Sequence, residues 1–111
     1  MPVTSPIVVL ASGAQTATFT TSAVTADAGT VSLLINVSAV SGTTPTLDCT
    51  VEWSNDGTTW AVADTADSFA QITAAKTTTK AFTSKGLFLR VRGTIGGTTP
   101  SFTVGITATA R

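Results

Sequence analysis

VEWSNDGTTW, residues 51–60, decides the fold. Val51 and Trp53 alternate with Glu52, the period of two that marks a half-buried strand. Asn55-Asp56-Gly57 then supplies tight-turn chemistry, the glycine being free to take the positive φ that such turns need. Trp60 and Val62 resume the apolar alternation on an expected returning strand. Toward the N-terminus, Leu47 and Cys49 share the face of Val51 and Trp53, while Thr46, Asp48, Thr50 and Glu52 face away. Toward the C-terminus, KGLFLRVR at residues 85–92 predicts another strand, with Leu87, Leu89 and Val91 inward and Phe88, Arg90 and Arg92 outward.

The same period runs through the rest of the chain. Residues 30–40 predict the strongest strand, with Val31, Leu33, Ile35, Val37 and Ala39 on one face and Leu34 and Val40 on the other. Phe102, Val104, Ile106 and Ala108 form the inner face of a last strand, and Phe69 and Ile72 read as core anchors beside a polar loop at 64–68. KTTTKAFT at 76–83 has the character of an edge strand, because lysines discourage unwanted strand pairing. Residues 26–29 read as a turn. Gly42-Thr43-Thr44-Pro45 recurs as Gly97-Thr98-Thr99-Pro100, and both copies are expected to be hairpin connections. Residues 1–13 contain Ile7-Val8-Val9-Leu10 without alternation and predict an extended N-terminal arm or a first strand; residues 14–111 form a single β-sandwich domain. The expected architecture is all-β, a two-sheet antiparallel sandwich of about seven or eight strands, immunoglobulin-like or jelly-roll-like.

Composition narrows the function. The 111 residues have a formal net charge of +0 and 11% charged residues, which disfavours nucleic acid or a membrane surface as partner. Mean hydropathy is positive, yet no apolar run approaches the roughly 20 residues that cross a bilayer. Burial of apolar area against a partner as well as in the core is the expectation. The N-terminus lacks the features of a signal peptide, so synthesis in a cytoplasm is expected, and Asn36-Val37-Ser38 is not read as a glycosylation site.

Chemistry is sparse. There is no histidine and no tyrosine, which removes the commonest general base and most zinc or iron sites. Cys49 is expected to be a small buried apolar side chain. Of the six carboxylates, Asp48 and Glu52 share a solvated face rather than form a hydrolytic pair. Asn55 and Asp56 with Asp64 or Asp67 do not fit an EF-hand loop, and turn geometry explains them. No catalytic residue, cofactor, metal or small-molecule substrate is expected. Lys76, Lys80, Lys85, Arg90 and Arg92 read as edge protection and cross-strand pairs, with Glu52 opposite Arg90 or Arg92. Trp53 is assigned to the core; Trp60 is either a core lid or a contact residue.

Three motifs, VEWSNDGTTW, KGLFLRVR and GTTPSFTV, occur here in the order in which they recur in small structural proteins of tailed bacteriophages. The chain resembles that group over residues 31–107. The resemblance implies a non-enzymatic virion protein, made in the bacterial host cytoplasm. The expectation is a capsid decoration (cement) protein on the outside of the head, bound to the major capsid protein and to itself as a homotrimer or other homo-oligomer. A neck or tail protein is the alternative within that class, and a carbohydrate-binding or discoidin-like module the alternative outside it. Expected partner contacts are Ile7, Val8, Val9, Leu10, Trp60, Phe88, Arg90 and Arg92.

Overall fold

The computed structural model describes residues 6–26 and 29–110. Residues 1–5 of the expected arm, and Asp27 and Ala28 of the expected turn, lie outside the described residues. The fold is all-β and antiparallel. Its strands are β1 (Ile7–Gln15), β2 (Phe19–Thr20), β3 (Val24–Thr25), β4 (Thr30–Ser54), β5 (Lys76–Thr83) and β6 (Phe88–Ala110). They form one hydrogen-bonded sheet in the order β1-β6-β4-β5, with β2 and β3 also paired to β6.

β4 and β6 are the backbone of the molecule, 25 and 23 residues long. They pair from Val31↔Ala110 to Ser54↔Phe88. A straight strand of that length would reach about 80 Å, but the molecule is 43 Å in its longest dimension. Both strands therefore bend. The ladder shifts register between Ser41 and Thr43 and between Thr43 and Thr46, where Thr43 faces Thr98. The two Gly-Thr-Thr-Pro copies, expected to be hairpins, instead lie inside the two long strands, opposite each other.

The geometry of this corner explains the repeat. Gly42 and Gly97 have φ of 110° and 112°, and Thr44 and Thr99 have φ of 47° and 46°. A left-handed conformation is unfavourable for a β-branched residue. Each of these threonines donates its Oγ1 hydrogen to the carbonyl of the threonine before it, at 2.8 Å in both copies. A Cβ on Gly42 would stand 2.7 Å from the Thr99 carbonyl oxygen, and one on Gly97 2.8 Å from that of Thr44. Each copy thus packs its glycine against the other in a local two-fold arrangement. Turn-forming residues make a bulged bend when a partner strand accompanies them through it, and a single strand's sequence does not show that partner.

On one side of the corner, β1 and β5 flank the β4–β6 pair. On the other side β2 and β3 flank it, and single bridges at Leu47↔Ile72, Thr50↔Ser68 and Trp53↔Ala61 cover the β4 edge. The returning strand expected at Trp60 and Val62 is reduced to the bridge at Ala61, and Val62 is 44% exposed. Thr21 spans the gap between β2 and β3. Its N–H reaches the Val91 carbonyl at 2.9 Å, and its Oγ1 accepts the Val91 N–H at 2.9 Å. A hydroxyl stands in for a missing strand carbonyl, so the buried β6 amide keeps a partner.

One apolar cluster runs through both halves. It takes Leu33, Ile35, Val104 and Ile106 from one, and Leu47, Val51, Trp53, Leu89 and Val91 from the other. Phe69 and Ile72 join it as expected, and Phe69 meets Phe82 of β5 edge-to-face at 5.6 Å. Phe19 lies over Gly93, filling the place of an absent side chain. Two expected core positions are corrected. Ala39 is exposed and Val40 packs on the core instead, because Ser38 sits in a register shift and reverses the alternation. Leu87 is 45% exposed because it precedes the first residue of β6.

Candidate functional site

The 54–59 loop leaves β4 at buried Ser54 and is built around Asp56. Ser54 Oγ donates to Asp56 Oδ1 at 2.9 Å and accepts the Gly57 N–H at 2.8 Å. The same Asp56 oxygen accepts the N–H of Thr58 at 2.9 Å and of Thr59 at 2.7 Å. These bonds, that of Thr59 first, hold the carboxyl well below its ordinary value of 3.8. Asp56 is therefore spent on organising its own loop.

Beside the loop, Trp53 donates its Nε1 hydrogen to Asp67 Oδ2 at 2.8 Å. Lys85 Nζ lies 3.0 Å from the same Asp67 oxygen and 5.7 Å from the centre of the Trp53 ring. The Asp67 carbonyl also accepts the Val51 N–H at 2.8 Å. An open groove of about 540 Å³ runs past Trp53, Asn55, Thr59, Val62, Asp64 and Lys85. Trp53 is 5% exposed, so it offers this groove an edge and no stacking platform.

On the outer face of the same half, Arg90 Nε meets Glu52 Oε1 at 2.6 Å, and the two residues are directly opposite in register. The Arg90 guanidinium lies 4.4 Å from the centre of the Trp60 ring. Trp60 is half-buried and serves as a plate for Arg90. Phe88 opens β6 opposite Ser54 and approaches Gly57. Arg92 is exposed, between Thr20 and Thr50. The structure thus gathers Trp60, Phe88, Arg90 and Arg92 into one region.

The other four candidates lie across the corner in β1 and do not adjoin these. Val9 is 5% exposed and belongs to the chain's own core, which corrects its assignment as a partner contact. Ile7 and Leu10 are half-buried, and Leu10 packs on the core. Val8 is 62% exposed. It lies in a cross-strand row with Thr107 of β6 and Leu34 of β4, the latter 39% exposed. A second groove, of about 400 Å³, borders Val8, Leu34, Asn36 and Gly105. Sequence reading noted Leu34 as an outward apolar residue but had no means to place it beside Val8. It also missed Asp67 and Lys85 as partners of Trp53, since neither spacing nor alternation joins residues on separate loops.

Burial, and then the charge of Asp48, push the Cys49 thiol up to about 12, so it is held as a neutral apolar group. Asp48 accepts from Gln71 Nε2 through both carboxylate oxygens, at 3.2 and 3.1 Å. No group of three or more histidine, cysteine or carboxylate side chains among the described residues is arranged to hold a metal. No helix of the described residues is long and apolar enough to cross a membrane. No protein-family model matches the chain, and no curated protein matches it in sequence.

Proposed function

We propose that the chain is a non-enzymatic structural protein of a tailed-phage virion, a decoration protein on the outside of the head in contact with the major capsid protein. The observation that carries this reading is the joining of the three resemblance motifs into one unit. VEWSNDGTTW and KGLFLRVR pair directly through Glu52↔Arg90 and Trp53↔Leu89, and GTTPSFTV supplies one side of the corner through which both long strands pass. The carboxylates support it too: Asp48, Glu52, Asp56 and Asp67 each tie one piece of the chain to another. In this reading the corner folds the sheet so that its halves act as the two layers of a sandwich, a role bulged bends play where strands pass between layers.

The test is to look for the polypeptide in purified particles by mass spectrometry and to measure co-sedimentation of the free protein with empty heads. Retention on heads is expected. Particles that never contain it overturn the reading; recovery with isolated tails selects the neck or tail alternative. Glycan binding without head binding selects the carbohydrate-binding or discoidin-like module.

A further inference from the structure

We propose that the free edge of β1 is a self-pairing edge, at which two copies of this chain join their β1 strands antiparallel about a two-fold axis near Ala11. β1 ends the strand order, and among the described residues its outer side has no strand partner. An edge strand is a template for another extended chain unless something blocks it. The opposite edge is blocked: β5 carries Lys76 and Lys80, both exposed. β1, IVVLASGAQ, has no charged residue and no proline.

Its sequence suits a copy of itself. The stretch Ala11-Ser12-Gly13-Ala14 is small throughout, so the larger side chains of a second copy meet no bulk beside them on either face of the sheet. With the axis at Ala11, the exposed side chain of Val8 falls beside Ala14 of the second copy, a large residue against a small one. An uncharged strand on a chain of net charge +0 offers nothing to repel its own copy. Register shifts between Val8 and Leu10 and between Leu10 and Gly13 each set one extra residue on β1 against β6, so the regular pairs with a second copy, Ile7 with Gln15 and Val8 with Ala14, flank an irregular centre. The exposed apolar row of Val8 and Leu34 continues from this edge onto the outer face. Main-chain pairing supplies the attraction and this apolar rim adds to it.

The proposal rests on the assembly reading above for its place in a particle, but its test uses the free protein. Sedimentation of the full chain across the micromolar to submillimolar range is expected to show a monomer passing to a dimer. The double variant Val8→Lys, Ala14→Lys changes two exposed positions. It is expected to stay monomeric throughout, with an unchanged β-type circular dichroism spectrum and melting temperature. Hydrogen exchange on the unaltered chain is expected to show amides of residues 7–15 gaining protection as concentration rises. A chain monomeric at every concentration overturns the proposal, and so does a variant that dimerises like the original or a dimer whose β1 amides gain no protection. Dimers that pair through β1 but never bind heads uphold this edge and remove the virion reading; head binding by a strict monomer does the reverse.

Discussion

Asp56 is at the surface, yet one of its oxygens receives three hydrogen bonds, from Thr59, Thr58 and Ser54. Its folded value is lowered, so its contribution to stability is complete above 3.8 and is lost as pH falls through the folded value. A nuclear magnetic resonance titration should place the Asp56 carboxyl below 3.8; a value at or above that figure contradicts the loop geometry. Asp56→Ala should speed exchange at the Thr58 and Thr59 amides. Trp53 makes a separable pair of contributions. Trp53→Phe removes the Asp67 bond and should cost about 1–3 kcal/mol, whereas Trp53→Ala also empties the core and should cost about 3–5 kcal/mol. Denaturant titration distinguishes them, and equal losses would mean that the ring itself contributes nothing. Cys49 has a raised value, so its stabilising effect is complete below its ordinary 9.0 and is lost as pH rises toward about 12. A thiol reagent at mildly alkaline pH should leave the folded chain unlabelled and label it once unfolded.

At the scale of the strand, the alternation of Val31, Leu33, Ile35 and Val37, and of Leu47, Cys49, Val51 and Trp53, was legible because burying one face of a strand writes a period of two into the sequence. The pairing of Glu52 with Arg90 was legible as one of two registers for the same reason. The bulge at Ser38 was not, since an unpaired residue is defined by its neighbour strand. Nor was the corner: Gly-Thr-Thr-Pro has turn chemistry, and only the facing copy makes it a bend. Within the candidate site, Arg90 was read as an outward residue and Trp60 was left between core lid and contact residue; their stacking was not legible, because a loop of no fixed period brings Trp60 back. The corner yields its own prediction. Gly42→Ala and Gly97→Ala each force a side chain into a left-handed backbone against a carbonyl of the other strand, and each should cost roughly 1–3 kcal/mol. Because each glycine packs against the copy that holds the other, both substitutions strain one bend, and the double variant should lose less than the sum. Additive losses in a double-mutant cycle would argue against the two-fold packing.

For the molecule as a whole, the single apolar cluster crosses the corner, and both long strands pass through it. Neither half can lose its packing while the other keeps its own. Thermal unfolding should therefore follow one transition, with tryptophan fluorescence, which reports the half holding Trp53 and Trp60, coinciding with circular dichroism, which reports both. Two resolved midpoints would show that the halves are separate cooperative units. Pairing ties the chain's beginning to its end, as Ile7↔Ala108 does, so folding should take milliseconds to seconds, as is typical of all-β chains with distant pairings.

The shared bend also limits how such a chain can change in length. Two rails that turn at one rung must leave the bend in step. One residue added to either rail beyond that point would swing every later side chain from the interior to the surface unless it were set aside as a bulge, as Ser38 is. Growth is open to matched additions on both rails, to single residues set aside as bulges, or to the loops that join other parts of the chain, and any lengthened version of this domain should carry its extra residues in one of those ways.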